Sequence, residues 1–152
     1  MPTSIRELIL DEIVTTLKTV APPAYDVAED LKDVRRVTAN PWDEPIYPLV
    51  HVIDLGEDST DGQPAQRTTC LLQVEIQFWH DRWTQVSTEA GRYLAAIKKA
   101  LYVDTTRGGK AYDTDIVRSQ LILAEETMPL NGGQVTAVIH YRHILGDPYT
   151  IG

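Results

Sequence analysis

Gln134-Val-Thr-Ala-Val-Ile-His-Tyr-Arg-His-Ile-Leu145 is a run of twelve mostly β-branched, aromatic and aliphatic residues. It follows Asn131-Gly132-Gly133, which reads as a turn, and it stops at Gly146-Asp147-Pro148. A strand of this length, entered through a hairpin, belongs inside the main sheet and not at its margin. None of its side chains forms a catalytic pattern, so the question moves from reaction to assembly.

Working outward, Thr68–Trp79 reads as a second firm strand. Leu72, Val74, Ile76 and Phe78 alternate with Gln73, Glu75 and Gln77, the period of two expected for a sheet with one dry and one wet face. Leu49–Leu55, bounded by Pro48 and Gly56, is another strand, and Ile116–Glu126 pairs with the closing run across a turn at Met128–Gly133. A short edge strand near Val34–Thr38 is the weakest of these assignments. Residues 57–66, polar and containing Gly62 and Pro64, read as a flexible loop, as do residues 102–115.

Two helices complete the pattern. Ser4 stands three residues before Glu7, the spacing of a capping box, and Ile5, Leu8, Ile9, Ile13, Leu17 and Val20 recur at helical spacing up to Pro22-Pro23. A second helix over residues 85–101 presents Val86, Ala90, Tyr93, Leu94, Ile97 and Leu101 on one face. The order helix, strand, strand, helix, strand, strand predicts one α+β domain over residues 1–152, a mainly antiparallel or mixed four-stranded sheet with two amphipathic helices packed on one face.

The chain of 152 residues is 43% hydrophobic and 24% charged, with 22 acidic and 14 basic residues and a formal net charge of −8. It is long enough to bury a core without metal or disulfide staples. No apolar run reaches the roughly 18–20 residues that span a bilayer, and the N-terminus lacks the basic and then apolar regions of a signal peptide, so synthesis in the cytosol is expected. Basic residues cluster only as Arg35-Arg36 and Lys98-Lys99, which argues against gripping nucleic acid. Cys70, the only cysteine, lies in a strand and reads as a buried thiol.

Chemical motifs were tested one by one. Arg107-Gly-Gly-Lys110 lacks the glycine spacing and strand-to-helix junction of a phosphate loop and reads as a mobile loop. His140 and His143, an odd offset apart on a strand, point to opposite faces, which disfavours a shared metal. His80-Asp81 reads as a strand-end turn, since no nucleophile elbow accompanies it. No catalytic, cofactor-binding or metal residue is predicted. Trp42, Trp79 and Trp83 are read as core caps or, for at least one, as an interface residue, since Trp is frequent at intersubunit contacts. On the second reading, Trp83→Ala weakens assembly more than folding.

Several of these elements form one recurring layout: the N-terminal amphipathic helix, the Pro-led strand Tyr47-Pro-Leu-Val-His-Val, the alternating strand Leu72-Gln-Val-Glu-Ile-Gln-Phe-Trp and the second helix. A closing strand carrying Tyr141-Arg142 then runs into Asp147-Pro148. This layout resembles the tail terminator (tail completion) proteins of long-tailed bacteriophages, the group that includes the minor tail protein U of lambdoid phages. The resemblance covers residues 4–149 and rests on element order. It implies a virion protein, not an enzyme, without cofactor. Such a subunit forms a homohexameric ring on the last ring of tail tube protein, stops polymerisation and presents a surface to the head-completion or connector protein. DNA passes through the lumen without specific binding.

Tyr141, Arg142, Asp147 and Pro148 carry over as the matching closing segment. Six copies at −8 would total about −48, a charge that keeps DNA off the wall if part of it lines the channel. The competing readings are another neck or head-tail connector component, and a small ligand-binding domain or enzyme.

Overall fold

The computed structural model describes residues 2–37, 40–62, 66–127 and 129–152. Its elements are α1 (Ile5–Leu17), β1 (Asp33–Arg36), β2 (Leu49–Gly62), β3 (Arg67–His80), α2 (Val86–Val103), β4 (Asp113–Ile122), β5 (Asn131–Ile144) and β6 (Asp147–Ile151). The strands form one mixed sheet in the order β1-β2-β3-β5-β4, with β6 paired to β5. Only β1 and β2 run parallel; every other pairing is antiparallel. The α+β class is as expected, but the sheet has six strands and not four.

Of the two strands beyond the four counted, β1 overlaps the edge strand expected near Val34–Thr38 but starts at Asp33, and β6 is new. β1 and β6 span four and five residues, too few for a periodic signal, and each exists through pairing with a longer neighbour. The other corrections concern boundaries. Residues 57–62 are not a loop: β2 runs to Gly62, with Asp61 opposite Thr68 and Gly62 opposite Arg67. Pairing with β3 overrides the low strand propensity of these polar residues. The rest of that predicted loop, up to Ala65, lies outside the described residues, as does Thr38 of the predicted edge strand and Met128 of the predicted turn.

Asn131-Gly132-Gly133 is not a turn either but the start of β5, paired with His80, Trp79 and Phe78. The glycines are there for room. A Cβ on Gly132 would stand 1.8 Å from the Phe78 carbonyl oxygen, and one on Gly133 would stand 2.6 Å from the Phe78 ring. β4 ends at Ile122, short of Glu126, and the predicted loop at 102–115 shortens because α2 reaches Val103 and β4 begins at Asp113. The closing run is therefore central, as expected, but it is not last: Gly146, at φ +79°, turns the chain back into β6.

The core lies between the sheet and both helices. Ile5, Ile9, Leu10, Ile13 and Leu17 of α1 and Ala90, Tyr93, Ala96, Ile97, Ala100 and Leu101 of α2 join Cys70, Leu72, Val74, Ile76 and Phe78 of β3 in one buried cluster. Val135, Ala137, Ile139 and Tyr141 of β5 complete it. At the start of α1, Ser4 Oγ accepts the Glu7 N–H at 3.3 Å. The Glu7 carboxylate does not return the contact; it pairs with Arg36 at 2.5 Å, so half of the capping box is replaced by a tie between α1 and β1.

Candidate functional site

The helices cover one face of the sheet and leave most of the other open. Register makes the open face a grid of side chains. One row across β2, β3, β5 and β4 reads His51, Gln77, Gln134 and Gln120; the next reads Ile53, Glu75, Thr136 and Arg118. A third holds Gln73, Val138 and Asp115, and a fourth holds Asp58, Leu71, His140 and Asp113. Neighbours bond within the face: Arg118 donates to Gln120 Oε1, Gln77 donates to Glu75 at 3.3 Å, and His140 Nε2 lies 2.9 Å from Asp115 Oδ2. These rows hold four glutamines and four carboxylates, with Arg118 as their one Arg or Lys and no basic cluster.

A β-bulge changes which residues meet the core. The register of β2 shifts between Asp54 and Gly56, where Gly56 adopts φ +109°, a conformation L side chains resist. Beyond it, Glu57 is opposite Leu72 and turns inward. Arg6 of α1 forks onto Asp54 at 2.6 and 2.9 Å and lies 3.7 Å from Glu57. The Tyr141 hydroxyl donates to Glu57 Oε2, and burial, with that carboxylate as the next cause, pushes the phenol pKa up. Burial likewise raises the Cys70 thiol, which is 0% exposed. This fits the expected inert core thiol.

The residues of the closing segment are not gathered into one site. Tyr141 is buried and faces the helices, whereas Arg142 points to the open face with its guanidinium 4.4 Å from the Tyr112 ring centre. Asp147 folds onto its own turn, accepting the Tyr149 N–H at 3.1 Å and the Thr150 hydroxyl at 2.7 Å. Pro148 beside it is exposed.

The tryptophans divide between the two faces. Residues 41–48 fold over one corner of the open face, where Trp42 meets His51 edge-on at 4.9 Å and Trp79 at 5.4 Å. His51 Nε2 lies 2.8 Å from the Pro41 carbonyl oxygen, and burial lowers the His51 pKa. Trp79 is buried, and Trp42 is half-buried. Trp83 sits on the core side, stacked between His80 at 5.0 Å and Tyr93 at 5.6 Å. Its ring packs against its own chain, so Trp83→Ala removes folding contacts along with any intersubunit contact and does not separate the two.

His80 is a strut. Its Nε2 lies 2.7 Å from Glu29 Oε1, and its Nδ1 accepts the Arg82 N–H at 2.9 Å. Together with Tyr93, whose hydroxyl donates to the Glu29 carbonyl at 2.8 Å, it ties the segment after α1 to the end of β3. The recess beside it, about 220 Å³, is lined by Glu29, Lys32, Ile46, Tyr47, His80, Asp81 and Arg82, a set without a Ser, Thr or Cys nucleophile. A second depression, about 450 Å³, is a groove along α2 bordered by Tyr25, Ser87, Gly91, Ala95 and Lys99. Among the described residues no group of three or more His, Cys, Asp or Glu is arranged to hold a metal ion.

Arg107 departs most from its sequence expectation. Arg107, assigned to a mobile loop, is 0% exposed. Its Nη2 donates to the carbonyls of Leu101 and Asp104 at the end of α2. Its Nη1 approaches Glu12 Oε2 of α1 at 3.2 Å, off the hydrogen-bond axis. The loop around it is built on Asp104, which accepts the Thr106 N–H and the Gly108 N–H, each at 2.9 Å. The only advance signal was a lone Arg beside paired glycines.

These carboxylates set an acid limit. Hydrogen bonds from Thr106 and Gly108 hold Asp104 down to about 2; Arg36 lowers Glu7 and Arg35 lowers Asp33. A carboxyl with a depressed folded pKa stabilises the fold fully above its unfolded value and loses that contribution as pH falls through the folded one. The lowered His51 acts in the same sense, beginning below about 6.5. The melting temperature should therefore be flat only between about pH 7 and 8, fall shallowly below that, fall steeply from about pH 4 towards 2, and fall again above about pH 9, where the raised Cys70 and Tyr141 ionise in the unfolded chain first. Circular dichroism melts across this range test it; Asp104→Asn should blunt the steep limb, and an unchanged melt at pH 3 would contradict the assignment.

Comparison with protein-family models and with curated protein sequences returns no match for this chain.

Proposed function

We propose that this protein is a structural virion subunit, a tail terminator of a long-tailed bacteriophage. It forms a ring, hexameric by the resemblance, on the last ring of tail tube protein, ends tube polymerisation and presents the surface to which the head-completion or connector protein joins. DNA passes through the lumen without specific binding.

The observation that carries the proposal is the open sheet face. An enzyme concentrates its chemistry in a recess with converging titratable groups. In this chain the helices leave an extended face of four strands uncovered, a grid of glutamines and carboxylates, the kind of surface that interfaces and channel walls are made from. Its interspersed charges and the net charge of −8 suit a wall that DNA slides past. The order of the four long strands and two helices supports the same reading, because β1 and β6 are marginal additions to the layout that the resemblance rests on. Another neck or head-tail connector component shares these features of size and charge, and it differs in what it binds.

Electron microscopy and sizing of the purified protein, alone and mixed with tail tubes, test the proposal. The expected result is a ring, formed at high protein concentration or on tube ends, and tubes that cease to grow. A protein that remains monomeric under both conditions and leaves tube growth unaffected would exclude a terminator. Rings that ignore tube ends but bind connectors would favour the other neck role.

A further inference from the structure

On one side the sheet ends in β1 and in the part of β2 beyond it, and on the other in β4 and the short β6. At one edge β1 covers β2 from Leu49 to Val52, and the Val37 N–H adds one bond to the Val52 carbonyl. Among the described residues nothing pairs the outer side of β2 over residues 57–62. At the other edge lies β4. Its first half is guarded by side chains: Asp113 Oδ1 accepts the Thr114 N–H at 2.9 Å, and the Tyr102 hydroxyl accepts the Ile116 N–H at 3.1 Å. The register against β5 shifts between Ile116 and Arg118, which puts a bulge at Val117; from there to Leu123 no side chain guards the edge among the described residues. That stretch carries Val117, Leu121 and Leu123 at 57%, 37% and 61% exposure. An apolar edge without Lys or Pro is the kind that recruits another strand.

We propose that residues 117–123 of one copy add as an antiparallel strand to residues 57–62 of the next, so that neighbouring sheets run on as one. This rests on the ring reading above and names the contact that builds the ring. Three features select the partner. The two open segments are of similar length, seven and six residues, and lie on opposite edges of one sheet, so their union is head-to-tail and can propagate around a ring. Because β2, β3, β5 and β4 alternate in direction, β4 meets the next copy's β2 antiparallel when the open face stays on one side. Arg118 is the only charged residue in 117–123, whereas 57–62 holds Glu57, Asp58 and Asp61 and no base. Pairing β4 with β4 would instead bring two Arg118 side chains together.

Engineered disulfides test the contact, since Cys70 is buried and contributes no background. Arg118 and Asp58 both stand on the open face, as does Gln120. Asp58→Cys is combined with Arg118→Cys or with Gln120→Cys, two adjacent registers, and oxidised under conditions where the wild type forms rings. One double variant should give a disulfide ladder of successive oligomers, and each single variant none. In parallel, Val117→Lys with Leu123→Lys, both at exposed positions, should abolish the ring and leave the melting temperature unchanged.

Rings that persist without a ladder in either register, or that survive the double lysine change, overturn the edge pairing while leaving the ring reading intact. A dimer ladder from Arg118→Cys alone overturns it in favour of β4 meeting β4. A wild type that never leaves the monomer overturns both.

Discussion

Ile76→Asp is expected to yield no folded protein. Ile76 is 0% exposed in the middle of β3, opposite Val52 on one side and Val135 on the other. The change removes a buried aliphatic side chain, at roughly 2–5 kcal/mol for comparable truncations. It also places a carboxylate where no cation or donor is in reach, which costs several kcal/mol more unless the group stays protonated. The sum is comparable to the whole stability of an ordinary domain, about 5–15 kcal/mol. Far-UV circular dichroism and solubility after expression provide the measurement, with Ile76→Val as the conservative control, expected to cost only about 0.5–1.5 kcal/mol. A soluble Ile76→Asp protein that melts cooperatively near the wild type would mean that the phase of β3 is wrong.

Arg107→Ala is expected to cost about 3–5 kcal/mol, the range for breaking a buried ion pair by removing one partner. Two α2 carbonyls lose their donor, and Glu12 Oε2, which has no hydrogen-bond partner of its own, loses the neighbouring positive charge. At roughly 2–4 °C per kcal/mol for a domain of this size, the melting temperature should drop by about 6–20 °C. Arg107→Lys should recover little, because an ammonium cannot fork onto two carbonyls and reach Glu12 together. A shift of less than about 2 °C for Arg107→Ala would show that the guanidinium is held without net stabilisation. The residue matters for the fold because it joins the end of α2, the start of α1's second half and the loop into β4.

The comparison between sequence and structure is most instructive where polarity misled. Arg107-Gly-Gly-Lys110 has the composition of a loop, and a loop it is. Composition could not reveal that its Arg folds back under the helix it follows. Residues 57–62 carry three acids and a glycine, yet they extend β2, since a strand already paired at one end continues pairing at small cost. Asn131-Gly132-Gly133 has the composition of a turn and is a strand because Phe78 and its backbone occupy the space where side chains would stand. Of the seven residues singled out as interface candidates, the structure brings Trp42 and Trp79 together. It puts Trp83 and Tyr141 against the core, and it separates Arg142 from Asp147 and Pro148.

By itself the sequence determined the α+β class, both helices, the four long strands and which residues of β3 face the core. Each of these is written in a local period, 3.6 or 2, that burial on one side imposes on neighbouring positions. Tertiary structure alone decided the strand order and the sixth strand after β5, the amide rows of the open face, the burial of Arg107 and the partly open edges. These depend on register between segments tens of residues apart, and side-chain periodicity within a segment carries no information about which strand lies beside it or where that pairing ends.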